Sequence, residues 1–153
     1  VFMACIWMLI GASPGSTGGG IKTTTLGVIL FYVIGIIRGK EHVEIFNRRL
    51  DWDVMNKALA LLVVSLSYIA LVILLLLVIE PFSMEKIVFE VVSAFGTVGL
   101  TMGITPYLTV TSKLLIIVTM FIGRLGPMTI ALALGEKKKK ARVQYPKEDI
   151  LIG

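Results

Sequence analysis

Charge is scarce in this sequence. Asp, Glu, Lys and Arg make up 16% of its 153 residues, against about 25% in soluble domains. With 56% hydrophobic residues and a mean hydropathy of +0.91, the composition excludes an ordinary soluble domain and indicates a membrane protein. Cysteine is nearly missing: Cys5 alone allows neither an intrachain disulfide nor a cysteine metal cluster. The single histidine, His42, lies in a charged stretch and reads as solvated. The basic residues behind the net charge of +5 flank apolar runs and form no patch interleaved with aromatics, so nucleic acid is not an expected partner. No basic region precedes the apolar run that begins at Val1; it does not read as a signal peptide. The expectation is the C-terminal piece of a longer protein.

Long apolar runs are plentiful. Residues 58–79 hold no charge and, as a helix of about 33 Å, would cross a bilayer core of about 30 Å. Residues 112–134 form a second candidate span, interrupted by Arg124, Gly126 and Pro127. Residues 1–37 would make a helix of about 55 Å, longer than a bilayer requires. At 11–20, however, the chain reads GASPGSTGGG, with five glycines and a proline. That composition predicts two half-helices joined by a non-helical segment at membrane depth. Lipid cannot satisfy the freed backbone groups of such a segment, which is tolerated only inside protein or beside a watery cavity. Residues 11–20 are therefore expected to line a pathway.

Between the spans, residues 84–95 suit a short helix with Ser83 as N-cap. It is too short to span and fits a re-entrant helix. Gly96, Gly99 and Gly103 then break it. The basic stretches 38–49 and 136–142 contrast with 80–111, where Lys86 stands against Glu80, Glu85 and Glu90. The positive-inside rule therefore places 38–57 and 135–153 in the cytoplasm and 80–111 outside. Trp52 and Tyr107 read as interface anchors, and Ser65, Ser67 and Tyr68 as helix-packing groups.

A short helix followed by Thr97-Val98-Gly99-Leu100-Thr101 has the form of an ion-selectivity loop, in which backbone carbonyls replace a cation's water shell. Glycine at the centre allows dihedrals that a side chain resists, and the negative end of helix 84–95 would favour a cation. The expected cation site is the backbone carbonyls of Thr97, Val98 and Gly99.

Three stretches, GASPGSTGGGIKTTT, SAFGTVGLTMGITPYLT and FIGRLGPMTIALAL, resemble the Trk/Ktr/HKT superfamily of potassium transporters, and most of all the KtrB-type membrane subunit. The resemblance implies an all-α polytopic membrane protein built from helix–pore loop–helix repeats. Residues 1–37 would be the last helix of one repeat and 58–134 a complete repeat, with pore helix 84–95 and filter 96–101. It implies K+ as the transported ion, with Na+ as a second candidate, in a multi-pass protein of the plasma membrane that is no enzyme. It also implies a homodimer and a cytosolic nucleotide-binding regulatory subunit of the KtrA type. TVGLT departs from the potassium-channel signature TVGYG at its last two positions, which puts strict K+/Na+ discrimination in question.

The same resemblance makes 11–20 an intramembrane gating loop: Gly11, Ala12, Ser13, Gly15, Ser16, Thr17, Gly18, Gly19 and Gly20. A rival reading is a phosphate-binding loop, because GSTGGGIKT nearly matches G-x-x-x-x-G-K-[ST]. Ile21, however, stands between the last glycine and Lys22, and one extra helical residue swings the lysine away by about 100°. Lys22 could instead pair with a carboxylate or backbone carbonyls, or snorkel to the interface. Arg124 is either a positive barrier in the pore or a charge pinned to helix-end carbonyls. The tail at 150–153, Ile-Leu-Ile-Gly, is expected to dock on a second copy. The alternative function is a non-transporting membrane assembly or scaffold subunit whose glycines serve close helix packing.

Overall fold

The computed structural model describes residues 1–39 and 51–126, together with the backbone of Glu44–Ile45 and Arg48–Arg49. The first apolar region is two helices, α1 (Phe2–Leu9) and α2 (Thr23–Ile37). The segment between them is irregular. Helix α3 covers Trp52–Ile79, α4 Met84–Gly96 and α5 Val110–Leu125, with a short 3-10 turn at Thr105–Tyr107. The architecture is helical but for one small departure from the all-α expectation. Strand β1 (Glu44–Ile45) pairs antiparallel with β2 (Arg48–Arg49), in a register that sets Glu44 opposite Arg49.

Helix α3 begins at Trp52, ahead of the charge-free run at 58. The reason is physical: charge marks where a helix leaves lipid, not where its hydrogen bonding starts. Asp53 in the first turn suits the positive end of the helix dipole. With 28 residues, α3 is about 42 Å long. Among the described residues it is the one helix both long and apolar enough to cross a membrane, and only 22% of its most apolar window is buried. Leu71, Leu74 and Val78 are exposed, a face that suits lipid or further protein. At the other end of the sequence, α5 stops at Leu125, where Gly126 adopts φ +83°, so the candidate span 112–134 is broken within itself. Residues 127–134, the lysine run, the tail 135–153 and His42 lie outside the described residues.

Helix α4 is the centre of the structure. It packs against α1, α3 and α5, and every residue from Phe89 to Gly96 is buried. Tyr68 on α3 meets Thr119 on α5 through their hydroxyls at 3.1 Å, and Ser65 bonds back to the Leu61 carbonyl at 2.6 Å. Ring contact between Tyr32 and Trp52, edge to face at 6.2 Å, joins α2 to α3.

The end of α3 is fastened to the start of α5 through Glu80. Its Oε1 accepts from the Thr109 amide at 2.8 Å and the Thr109 hydroxyl at 2.7 Å, and Thr109 in turn caps the Ser112 amide. Hydrogen bonds from Ser112 and Thr109 hold the Glu80 carboxyl below its ordinary range. A carboxyl with a depressed folded-state pKa stabilises the fold fully above the unfolded value, about 4.3, and loses that contribution as pH falls through the folded value. Glu80→Gln is therefore expected to destabilise the protein at pH 7 and to shrink its loss of stability between pH 5 and pH 3, as read by thermal melts in detergent. Parallel pH profiles of the variant and the parent would refute the contribution.

Candidate functional site

The chain reverses at the C-terminus of α4 through a hydrogen-bonded cap. The Thr97 amide donates to the Ala94 carbonyl and the Val98 amide to the Ser93 carbonyl, both at 3.0 Å. This paired pattern places the residue just past the helix in the left-handed region, usually as glycine. Here the residue is Thr97, at φ +52°. A β-branched residue in that region is strained by the order of 1–3 kcal/mol. Glycine would remove the strain, but not supply a hydroxyl, and the hydroxyl is used: the Gly19 amide donates to Thr97 Oγ1 at 2.9 Å. Gly99, two residues on, sits at φ +82°. Val98, Gly99, Leu100 and Thr101 are exposed, whereas Thr97 is half-buried.

Residues 11–20 form a folded loop whose ends lie side by side. Ile10 and Ile21 make a parallel bridge; the Gly11 amide donates to the Ile21 carbonyl at 2.8 Å and the Ile21 amide to the Leu9 carbonyl at 3.1 Å. At the tip, Ser13-Pro14-Gly15-Ser16 closes with a 3.1 Å bond from the Ser16 amide to the Ser13 carbonyl. Proline second and a glycine at φ +84° third are the marks of a type II turn. Ser13, Gly15, Ser16, Thr17 and Gly18 are exposed, Gly11 and Ala12 half-buried, and Gly19 and Gly20 buried. The two buried glycines carry the contacts: Gly19 to Thr97, and the Gly20 amide to the Gly123 carbonyl on α5 at 3.2 Å.

Four backbones thus converge at one place, and small residues let them. A Cβ on Gly123 would lie 2.0 Å from the Phe95 carbonyl oxygen, one on Gly96 2.4 Å from that of Met8, and one on Gly11 2.2 Å from that of Gly19. Glycine has no Cβ to hold these backbones apart, and such close approach is what it permits. Gly99 differs. A Cβ there meets nothing within 4 Å.

Two cavities meet at Gly99. One of about 380 Å³ is lined by Thr97, Gly99, Ile117, Met120, Phe121 and Arg124. The other, of about 130 Å³, includes Glu90, Gly99, Leu100, Thr101 and Thr105. Arg124 stands in the last turn of α5 with an exposed side chain. Lys22 is the N-cap residue of α2 and is also exposed; it does not reach the Thr97–Thr101 segment among the hydrogen bonds of the described residues. The structure thus brings together Thr97, Gly99, Gly19, Gly20 and Arg124, and leaves Lys22 apart. Two residues of the site escape a reading of the sequence: Gly123, whose role is steric, and Glu90. A signal for Glu90 is present: an acidic residue in the otherwise apolar run IVFEVVSAF.

Comparison with known proteins bears on the whole arrangement. The family described as TrkH, a cation transport protein, matches residues 1–142. The Ktr system potassium uptake protein B of Bacillus subtilis is 44% identical over 153 residues, 100% of this chain and 34% of that protein. The potassium/sodium uptake protein NtpJ of Enterococcus hirae is 45% identical over 152 residues, covering 95% of this chain and 34% of its own length. The Ktr system potassium uptake protein B of Vibrio alginolyticus is 41% identical over 148 residues, covering 97% and 32%. The chain spans about a third of the length of the curated relatives it matches.

Proposed function

Because this chain belongs to the TrkH family of cation transport proteins, a family of membrane transporters and not of enzymes, we propose that it contributes one filter segment and an adjoining gate to a K+ uptake pathway. The single observation that carries the reading is the contact between Gly19 and Thr97: the glycine-rich loop is hydrogen-bonded to the base of the strained segment 97–101. Positive φ at alternate residues, Thr97 and Gly99, supports a segment whose successive carbonyls turn to one side, as cation coordination requires. The loop 11–20 is the gate. Its tip is exposed, and its two buried glycines tie it by backbone amides to the segment and to α5. The transported ion is K+. Na+ is the second ion, on the strength of the name of the Enterococcus relative, a potassium/sodium uptake protein.

In this reading α1 and α2 are a broken membrane helix, α3 and α5 flank pore helix α4 as one repeat, and residues 38–57 and 135–153 face the cytoplasm in a multi-pass plasma-membrane protein. A homodimer and a KtrA-type regulatory subunit complete the assembly. Arg124 is a positive barrier beside the filter. The test is K+ uptake by a potassium-uptake-deficient cell expressing the complete gene product that contains this chain. Growth at low K+ that depends on this gene supports the function, and its absence at normal membrane abundance refutes it. In the same cells Arg124→Ala is expected to raise the K+ uptake rate severalfold, since it takes a positive charge from a weakly screened path. An unchanged rate per molecule would remove Arg124 from the pathway.

A further inference from the structure

Glu90 lies on the face of α4 that meets the filter segment, one turn before Ser93. It is 6% exposed, and a buried carboxyl requires partners. Both its oxygens have them: the Thr101 hydroxyl donates to Oε2 at 2.8 Å, and the Thr105 hydroxyl donates to Oε1. The two threonine oxygens are themselves 2.8 Å apart, and Thr101 Oγ1 also accepts from the Gly103 amide at 3.0 Å. One side chain of the pore helix therefore clasps the far end of the segment 97–101 and the turn that follows it.

The near end is tied to the same helix, by the Val98 amide on the Ser93 carbonyl. Residues 97–101 are thus strung between two anchors on α4, Ser93 and Glu90. Between them Gly99 has open space where a side chain would be, and glycine constrains its own dihedrals least of all residues. The anchors at either end therefore limit how its carbonyl can turn. Discrimination between cations of equal charge depends on the spacing and number of such carbonyls, so an anchor sets it. We propose that Glu90 is a specificity-determining positioning residue, which sets the preference for K+ over Na+ by holding Thr101 and Thr105. This rests on the filter assignment above and extends it to a residue outside the filter.

The test uses the complete gene product in the uptake-deficient cell, with membrane abundance measured by immunoblot. Glu90→Gln offers only one acceptor oxygen in place of two. Thr105→Val removes a hydroxyl at a position outside the filter and keeps the shape. Each is expected to lower the ratio of KM for Na+ to KM for K+ by about tenfold, while Thr105→Ser, which keeps the hydroxyl, stays within about twofold of the parent. The double variant Glu90→Gln/Thr105→Val is expected to be no worse than the weaker single variant, because both break one clasp. If Glu90→Gln reduces the amount of folded protein, the Thr105 pair still decides the matter. An unchanged KM ratio in Thr105→Val with uptake intact overturns the clasp. A parent protein that transports no K+ would instead overturn the filter assignment, and this inference with it.

Discussion

Replacing Gly99 by serine is expected to leave the protein in the membrane at normal abundance and to remove most of its preference for K+ over Na+. The two halves of that expectation have separate physical causes. A Cβ at Gly99 would touch nothing within 4 Å, so no neighbour has to move and the packing of α4 against α1, α3 and α5 is untouched. The backbone there lies at φ +82°, where a side chain costs about 1–2 kcal/mol. The segment can relieve that cost only by turning the Gly99 carbonyl. About 1.4 kcal/mol corresponds to tenfold in an equilibrium constant, so a tenfold or larger fall in K+/Na+ preference is the expected scale. The measurement is competitive uptake of K+ against Na+ in the potassium-uptake-deficient cell, with quantified membrane protein. Serine at 99 with unchanged uptake and unchanged ion preference would take Gly99 out of the filter.

That contrast between conformation and collision explains what the sequence could and could not disclose. The break in the first apolar region was legible because glycine and proline at 11–20 act locally, and the structure has no helix between Leu9 and Thr23. Helix α4 was legible too: its apolar run and the glycines that follow mark its end to within a residue, at Gly96. The N-terminal limit of α3 was not, since Asp53 and Lys57 are tolerated within a helix that has already left the apolar run. The partnership of the loop with Thr97 lay beyond reach, because residues 78 positions apart are joined by tertiary packing that periodicity does not encode. Thr97 in a left-handed conformation was also hidden. By propensity the position calls for glycine, and threonine makes sense only once the Gly19 amide is seen on its hydroxyl. Glu90 was visible as an anomaly in an apolar helix, but its partners follow from the fold of the loop 97–105.

Gly123 shows the opposite behaviour to Gly99, and Gly123→Val is expected to destabilise the fold strongly. The position reads as one more small residue in IGRLGP, yet its Cβ would lie 2.0 Å from the oxygen, 2.8 Å from the carbonyl carbon and 3.0 Å from the Cα of Phe95. All three are backbone atoms of α4, in a stretch where Val91 and Phe95 are fully buried. A flexible side chain could swing away; a helix backbone cannot, so α5 would have to separate from α4. Overfilling a packed interior costs about 1–3 kcal/mol even where side chains can adjust, and here the cost lies at or above the upper end. Separation would also break the bond from the Gly20 amide to the Gly123 carbonyl, releasing the loop from α5. The expected result is a severalfold loss of monodisperse protein in detergent and a melting temperature lowered by several degrees. Gly27→Ala is the matched control. It lies within α2, and an added methyl there would meet nothing within 4 Å; alanine in a helix is favoured over glycine by about 0.5–1 kcal/mol. Its stability should equal or exceed the parent's. Gly123→Val protein that melts with the parent would mean that α5 does not rest on Phe95, and the convergence of four backbones at the end of α4 would have to be abandoned.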